Sequence, residues 1–157
     1  MKNLTKQLTL GLALVFGLTS CSSKSEKKVE SNQKLSGTYR LIESKTIKGK
    51  DTIVAFTDTL KTEMFKMFND DHFSFFNHDK EKGKGKEPLF VSGGGTYSLK
   101  GSQYQENLQY CSMREWENNT FHFVLTQKGD TLIQKGEENL PELGIKQIII
   151  ETYIKLK

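Results

Sequence analysis

The chain has 157 residues, 35% hydrophobic, 10% aromatic and 27% charged, with 13 Gly, 2 Pro, 2 Cys and a formal net charge of +4. One domain is the natural count, which excludes a multidomain enzyme, a dinucleotide-binding fold with a separate substrate domain, and a full-size α/β barrel of roughly 250 residues. The chain is too rich in Phe and Ile for intrinsic disorder and shows neither collagen-like nor coiled-coil bias.

The first element reads as a signal peptide over residues 1–20. Lys2 and Lys6 precede an uncharged run from Leu8 to Leu18, and Thr19, Ser20 and Cys21 follow. A permanent membrane helix needs about 20 apolar residues, so this run is too short to span. Leu18-Thr19-Ser20-Cys21 resembles the lipobox of bacterial lipoproteins. That resemblance implies a diacylglycerylated Cys21 thiol, cleavage before Cys21, and acylation of the new amine with fatty acid such as palmitate. Each acyl chain contributes about 0.8 kcal/mol per buried CH₂, so two or three chains would hold the protein on a membrane.

Loss of residues 1–20 leaves 21 basic against 19 acidic side chains, a formal charge of +2. Although the sequence pI is about 8.9, the basic residues are scattered among acids, and nucleic acid is not an expected partner. With Cys21 lipidated only Cys111 remains, which excludes an intramolecular disulfide. Residues 22–34, SSKSEKKVESNQK, read as a solvated tether. The folded domain is expected over 35–157, long enough to bury about two-thirds of its unfolded surface.

From there the dominant period is two, interrupted by turn residues, the pattern of antiparallel strands. Gly37–Ser44 reads as a first strand, with Tyr39 and Leu41 on one face and Arg40 on the other; Ile53–Phe56 is a short second. Met64–Asn69 and His72–Asn77 read as a hairpin across Asn69-Asp70-Asp71. Residues 79–88, DKEKGKGKEP, form an exposed loop without the strand and helix that a phosphate loop requires. Gly93-Gly94-Gly95 bends or bulges the sheet before Thr96–Leu99, because missing Cβ atoms allow close backbone approach. Tyr104–Cys111 alternates clearly: Tyr104, Glu106, Leu108 and Tyr110 share one face, and Gln105, Asn107, Gln109 and Cys111 the other. Phe121–Thr126 pairs with Thr131–Gln134, and the closing strand Gln147–Leu156 is apolar on the face of Ile148, Ile150, Ile154 and Leu156.

These are seven or eight strands. An up-and-down order with short hairpins most simply closes into an all-β antiparallel barrel of about eight strands, since closure removes edges that promote aggregation. Such a barrel encloses one small ligand at most; a sandwich is the competing architecture.

Leu35-Ser36-Gly37-Thr38-Tyr39-Arg40-Leu41 resembles the Gly-x-Trp opening of lipocalins, with Tyr39 in the Trp position. Together with Lys66–Phe73, Ser92–Leu99 and Tyr104–Tyr110, it makes the chain similar to the short lipocalin-like lipoproteins of Gram-negative envelopes. The resemblance implies a lipocalin-like barrel on a lipid-anchored envelope protein, with the outer membrane the expected location. It implies no enzymatic activity.

The chemistry-bearing residues are sparse. His72 and His78 lie six apart on one expected strand, about 20 Å at 3.3 Å per residue, too far to share a metal whose ligands sit about 2 Å away. His122 brings no cluster that completes a shell, so neither metal nor cofactor is expected. Cys111 on a strand reads as a small hydrophobe, and Asp70, Asp71 and Asp79 as turn residues. The aromatic set reads first as core. Its sharper reading is a barrel mouth in which Phe75, Tyr97, Tyr110 and Phe123, with Arg40, Glu106 and Gln109, orient a small apolar or amphipathic molecule, and Trp116 stands at the rim. The expected function is non-enzymatic binding by a monomeric, membrane-anchored lipoprotein; the alternative is a filled barrel acting as a scaffold for protein contacts.

Overall fold

The computed structural model describes residues 35–56 and 61–157. The expected signal peptide, Cys21 and the tether lie outside the described residues. The elements are β1 (Gly37–Lys48), β2 (Asp51–Phe56), β3 (Thr62–Phe68), β4 (His72–Asp79), β5 (Phe90–Lys100), β6 (Gln103–Cys111), a 3-10 turn (Arg114–Trp116), β7 (Asn119–Lys128), β8 (Thr131–Leu140), a second 3-10 turn (Pro141–Leu143) and β9 (Ile145–Lys155).

Consecutive strands pair antiparallel from β3 to β9, and β9 returns to β1 over Tyr39–Ile47. This pairing closes an eight-stranded up-and-down barrel, as expected. The ninth strand is a product of how the chain returns along β1. β2 pairs with the second half of β1, from Lys48 opposite Asp51 to Ser44 opposite Phe56, and β3 pairs with the first half, from Arg40 opposite Phe65 to Gly37 opposite Phe68. β2 and β3 are thus two pieces of one returning strand.

The turns follow local chemistry. Asn69 Oδ1 accepts a hydrogen bond from the His72 amide at 2.9 Å, an Asx turn between β3 and β4. Gly101 and Gly129 have φ of +60° in the two-residue loops before β6 and β8, the backbone hand that suits the twist of flanking strands. Asp79 organises the long loop after β4, its carboxylate accepting from the Gly83 and Leu89 amides at 2.9 Å each. Those two hydrogen bonds hold its carboxyl below the usual carboxylate range.

Inward side chains fill one end of the barrel. Tyr39, Phe68, Tyr97 and Tyr104 meet edge to face or tilted, with ring centroids 5.5 Å apart for Tyr39–Phe68 and 5.6 Å for both Phe68–Tyr97 and Tyr97–Tyr104, geometries aromatic quadrupoles favour. Leu35 plugs this end: its amide donates to the Tyr97 hydroxyl at 3.2 Å, and that hydroxyl lies 2.8 Å from the Asn69 carbonyl oxygen.

Two expected faces change. Opposite the glycine run, Gly94 pairs with Tyr110 but Gly95 with Leu108, so Gln109 is an extra residue in a bulge. One inserted residue turns every later side chain over. Tyr110, expected beside Leu108 inside, is therefore 71% exposed on the outside, and Cys111 is buried within. Gly95 permits the bulge, because a Cβ there would sit 1.9 Å from the Asn107 carbonyl oxygen. On β9, the apolar face of Ile148, Ile150 and Ile154 is the outer one. Ile149, Glu151 and Tyr153 point inward instead, opposite Gly136, Gln134 and Leu132 of β8 respectively.

Candidate functional site

Above the aromatic floor the barrel is not filled. A cavity of about 190 Å³ is lined by Met64 and Lys66 of β3, Phe75 of β4, Glu106, Leu108 and Cys111 of β6, Met113 and Trp116 of the connecting segment, Phe121 and Phe123 of β7, Gln134 and Glu138 of β8, and Ile149, Glu151 and Tyr153 of β9. Gly136, between Gln134 and Glu138, makes room for the Phe123 ring: a Cβ there would come within 2.4 Å of it. Trp116 is half-buried, its ring 6.1 Å from that of Phe121. One wall is therefore aromatic and aliphatic.

The other wall and the floor carry charge. Lys66 is 3% exposed, and its ammonium donates to the Glu106 carboxylate and, at 2.9 Å, to Gln134 Oε1. The rings of Phe68, Phe73, Tyr104 and Tyr153 stand 5.2 to 6.0 Å from the ammonium, so π faces share in holding it. A buried cation without such partners would lose its proton or unfold the site. Two further carboxylates face the cavity, and among the described residues their hydrogen-bond donors are neutral. The Tyr153 hydroxyl donates to Glu151 at 2.7 Å, and Gln147 Nε2 donates to Glu138 at 2.6 Å.

Burial pushes the pKa of both Glu138 and Glu151 up, and it outweighs the lowering by Lys66 and by the donated hydrogen bonds. The phenols of Tyr104 and Tyr153 also rise well above the ordinary tyrosine value through desolvation, with nearby glutamates adding to it. The cavity thus holds three carboxylates and one ammonium, and the ammonium belongs to Glu106.

Of the residues singled out from sequence, Phe75, Glu106, Trp116 and Phe123 come together around the cavity. Tyr97 lies in the plugged end. Arg40 alternates with the buried Tyr39 and Leu41 and sits opposite Phe65 and Ile154 on the outer surface. Tyr110 walls a shallow outer depression over Gly93, Gly94 and Gly95, and Gln109 sits in the bulge. His72 and His78 also face outward, the first bonded to Asp71 at 2.6 Å and the second to the Asp79 carbonyl oxygen at 2.9 Å. Among the described residues no group of three His, Cys, Asp or Glu side chains could hold a metal ion.

Sequence reasoning missed Lys66, Gln134, Glu138 and Glu151. A signal for three of them was present. Lys66 stands in register between Met64 and Phe68, Gln134 two residues after Leu132, and Glu151 between Ile149 and Tyr153; a polar residue in an apolar alternation marks a polar interior. No family model, curated protein or solved structure matches the chain.

Proposed function

We propose that the barrel is a non-enzymatic receptor for a small amphipathic molecule. It works as a monomer on a lipid-anchored, lipocalin-like lipoprotein of the bacterial outer membrane. The observation that carries the binding reading is the cavity between the aromatic wall and the Lys66–Glu106–Gln134 network, because a few fixed polar groups in an apolar enclosure orient a ligand. The lipobox-like sequence ending in Cys21 supports the anchor.

The scaffold reading also has an observation in its favour. About 190 Å³ is smaller than the roughly 300–1,000 Å³ of drug-sized sites, so the ligand must be small. Native mass spectrometry of the protein purified from its own host separates the two: a reproducible bound mass is expected, and a bare mass throughout favours the scaffold. For the anchor, Cys21→Ser should move the protein from the membrane to the soluble fraction; continued membrane retention contradicts lipidation as the tether.

A further inference from the structure

We infer that the ligand is a flat, single-ring aromatic molecule, its ring held against those of Phe75, Phe121 and Phe123 with Trp116 beside them. This deepens the binding reading above and rests on it. Two cross-strand pairs shape the cavity. Phe75 stands opposite Gly93 across β4 and β5, and Phe123 opposite Gly136 across β7 and β8. Both phenyl rings line the cavity, and each lies over the glycine it faces: a Cβ at Gly93 would come 2.8 Å from Phe75 Cζ, and one at Gly136 would meet Phe123 Cδ1. Any larger residue at either position would push the ring into the lumen, so the glycines hold the rings back and keep the lumen open. The two pairs are three strands apart around the barrel, and aromatic surface therefore reaches a ligand from two sides.

Ring orientation gives a second, independent observation. At the plugged end, where aromatic side chains fill the barrel, they meet almost perpendicular: 85° between Tyr39 and Phe68 and 82° between Phe68 and Tyr97. Along the cavity the planes are close to parallel instead, 24° between Phe121 and Phe123 and 32° between Trp116 and Phe121, with centroids 6.3 and 6.1 Å apart. Edge-to-face contacts close a core, whereas a near-parallel series takes one more flat ring in the same offset order. Volume sets the number of rings. The cavity is about 190 Å³, and an apolar cavity of about 150 Å³ holds benzene, so one ring with a small substituent fits. Lys66, Glu106 and Gln134 line the same space and meet the polar substituent.

The test is calorimetric titration of the full chain in lipid nanodiscs with benzyl alcohol and with cyclohexylmethanol, which differ in the saturation of the ring. The heat of empty nanodiscs is subtracted, and the emission of Trp116, the sole tryptophan of the chain, places the binding in the cavity. The saturated ring carries more apolar surface, so burial alone favours it. Contact with two rings should nevertheless make benzyl alcohol bind about tenfold more tightly. Phe75→Leu and Phe123→Leu keep an apolar side chain without a π face. Each should remove most of that preference while keeping the affinity for cyclohexylmethanol, which also reports that the variant is folded.

Equal or tighter binding of cyclohexylmethanol overturns the aromatic assignment and leaves the cavity as a general apolar site. A preference that survives in both leucine variants overturns it too, since these rings are then not its source. Heat without a change in Trp116 emission places the alcohols outside the cavity and counts against it likewise. Binding of neither alcohol also overturns it, and native mass spectrometry then decides separately whether the barrel carries any ligand.

Discussion

Lys66 is the residue on which the interior depends. Its side chain and that of Glu106 are almost fully enclosed, and removing one partner of a buried pair leaves the other uncompensated, at about 3–5 kcal/mol. Lys66→Met should lower unfolding stability by that amount in urea titrations. Lys66→Met combined with Glu106→Leu should recover much of the loss, since both charges then leave together. A single variant as stable as the wild type would show that the pair is not enclosed.

Glu138 and Glu151 give a pH dependence of definite sign. Both have folded-state pKa values raised from 4.5 by burial, despite Lys66, Gln147 and Tyr153 nearby and with Glu106 adding to the rise. Below 4.5 they are protonated in folded and unfolded chains alike and impose no penalty. As pH climbs from there through the raised values, the folded state loses stability. The ligand-free protein should therefore melt higher at pH 5 than at pH 7.5, and the Glu138→Gln/Glu151→Gln variant should lose that difference. Asp79 acts with the opposite sign. Its lowered pKa contributes stability that is lost as pH falls below about 3.8, the ordinary value, so acidification should first stabilise and then destabilise.

At the scale of elements, the bulge between β5 and β6 decides what the cavity contains. It carries Tyr110 outward and brings Cys111 in. Gly95→Ala places a methyl group against backbone atoms of Asn107 and Gln109 that cannot rotate away. Overpacking of this kind costs about 1–3 kcal/mol, and the variant should show a lowered melting temperature; unchanged melting would contradict a close approach of the two strands at Gly95.

The same elements show where sequence is legible. Alternation located almost every strand, and the three consecutive glycines announced a bulge or bend. The parity after the bulge was not readable, because it depends on which partner residue is skipped, a matter of backbone pairing rather than side-chain pattern. On β9 both alternations contain isoleucines, so periodicity could not choose the inner face. A carboxylate is seldom buried, yet Glu151 lies in the alternation that faces the cavity. Inside a polar cavity that rule reverses, and the residues that make the cavity polar are the ones it hides.

For the whole molecule, closure was readable from short hairpins and edge avoidance, and β2 and β3 were readable as separate strands, while their pairing with the two halves of β1 was not, since no single residue encodes it. The barrel presents two contrasting apolar surfaces: the cavity wall, and an outer stripe of Ile148, Ile150 and Ile154 on β9. The central claim is that binding happens inside. Methyl NMR spectra of the protein, recorded before and after adding a small-molecule extract of its host, test it most directly. The account predicts shifts at Met64, Leu108 and Ile149, with Ile148, Ile150 and Ile154 unmoved. Shifts confined to those outer isoleucines would contradict it.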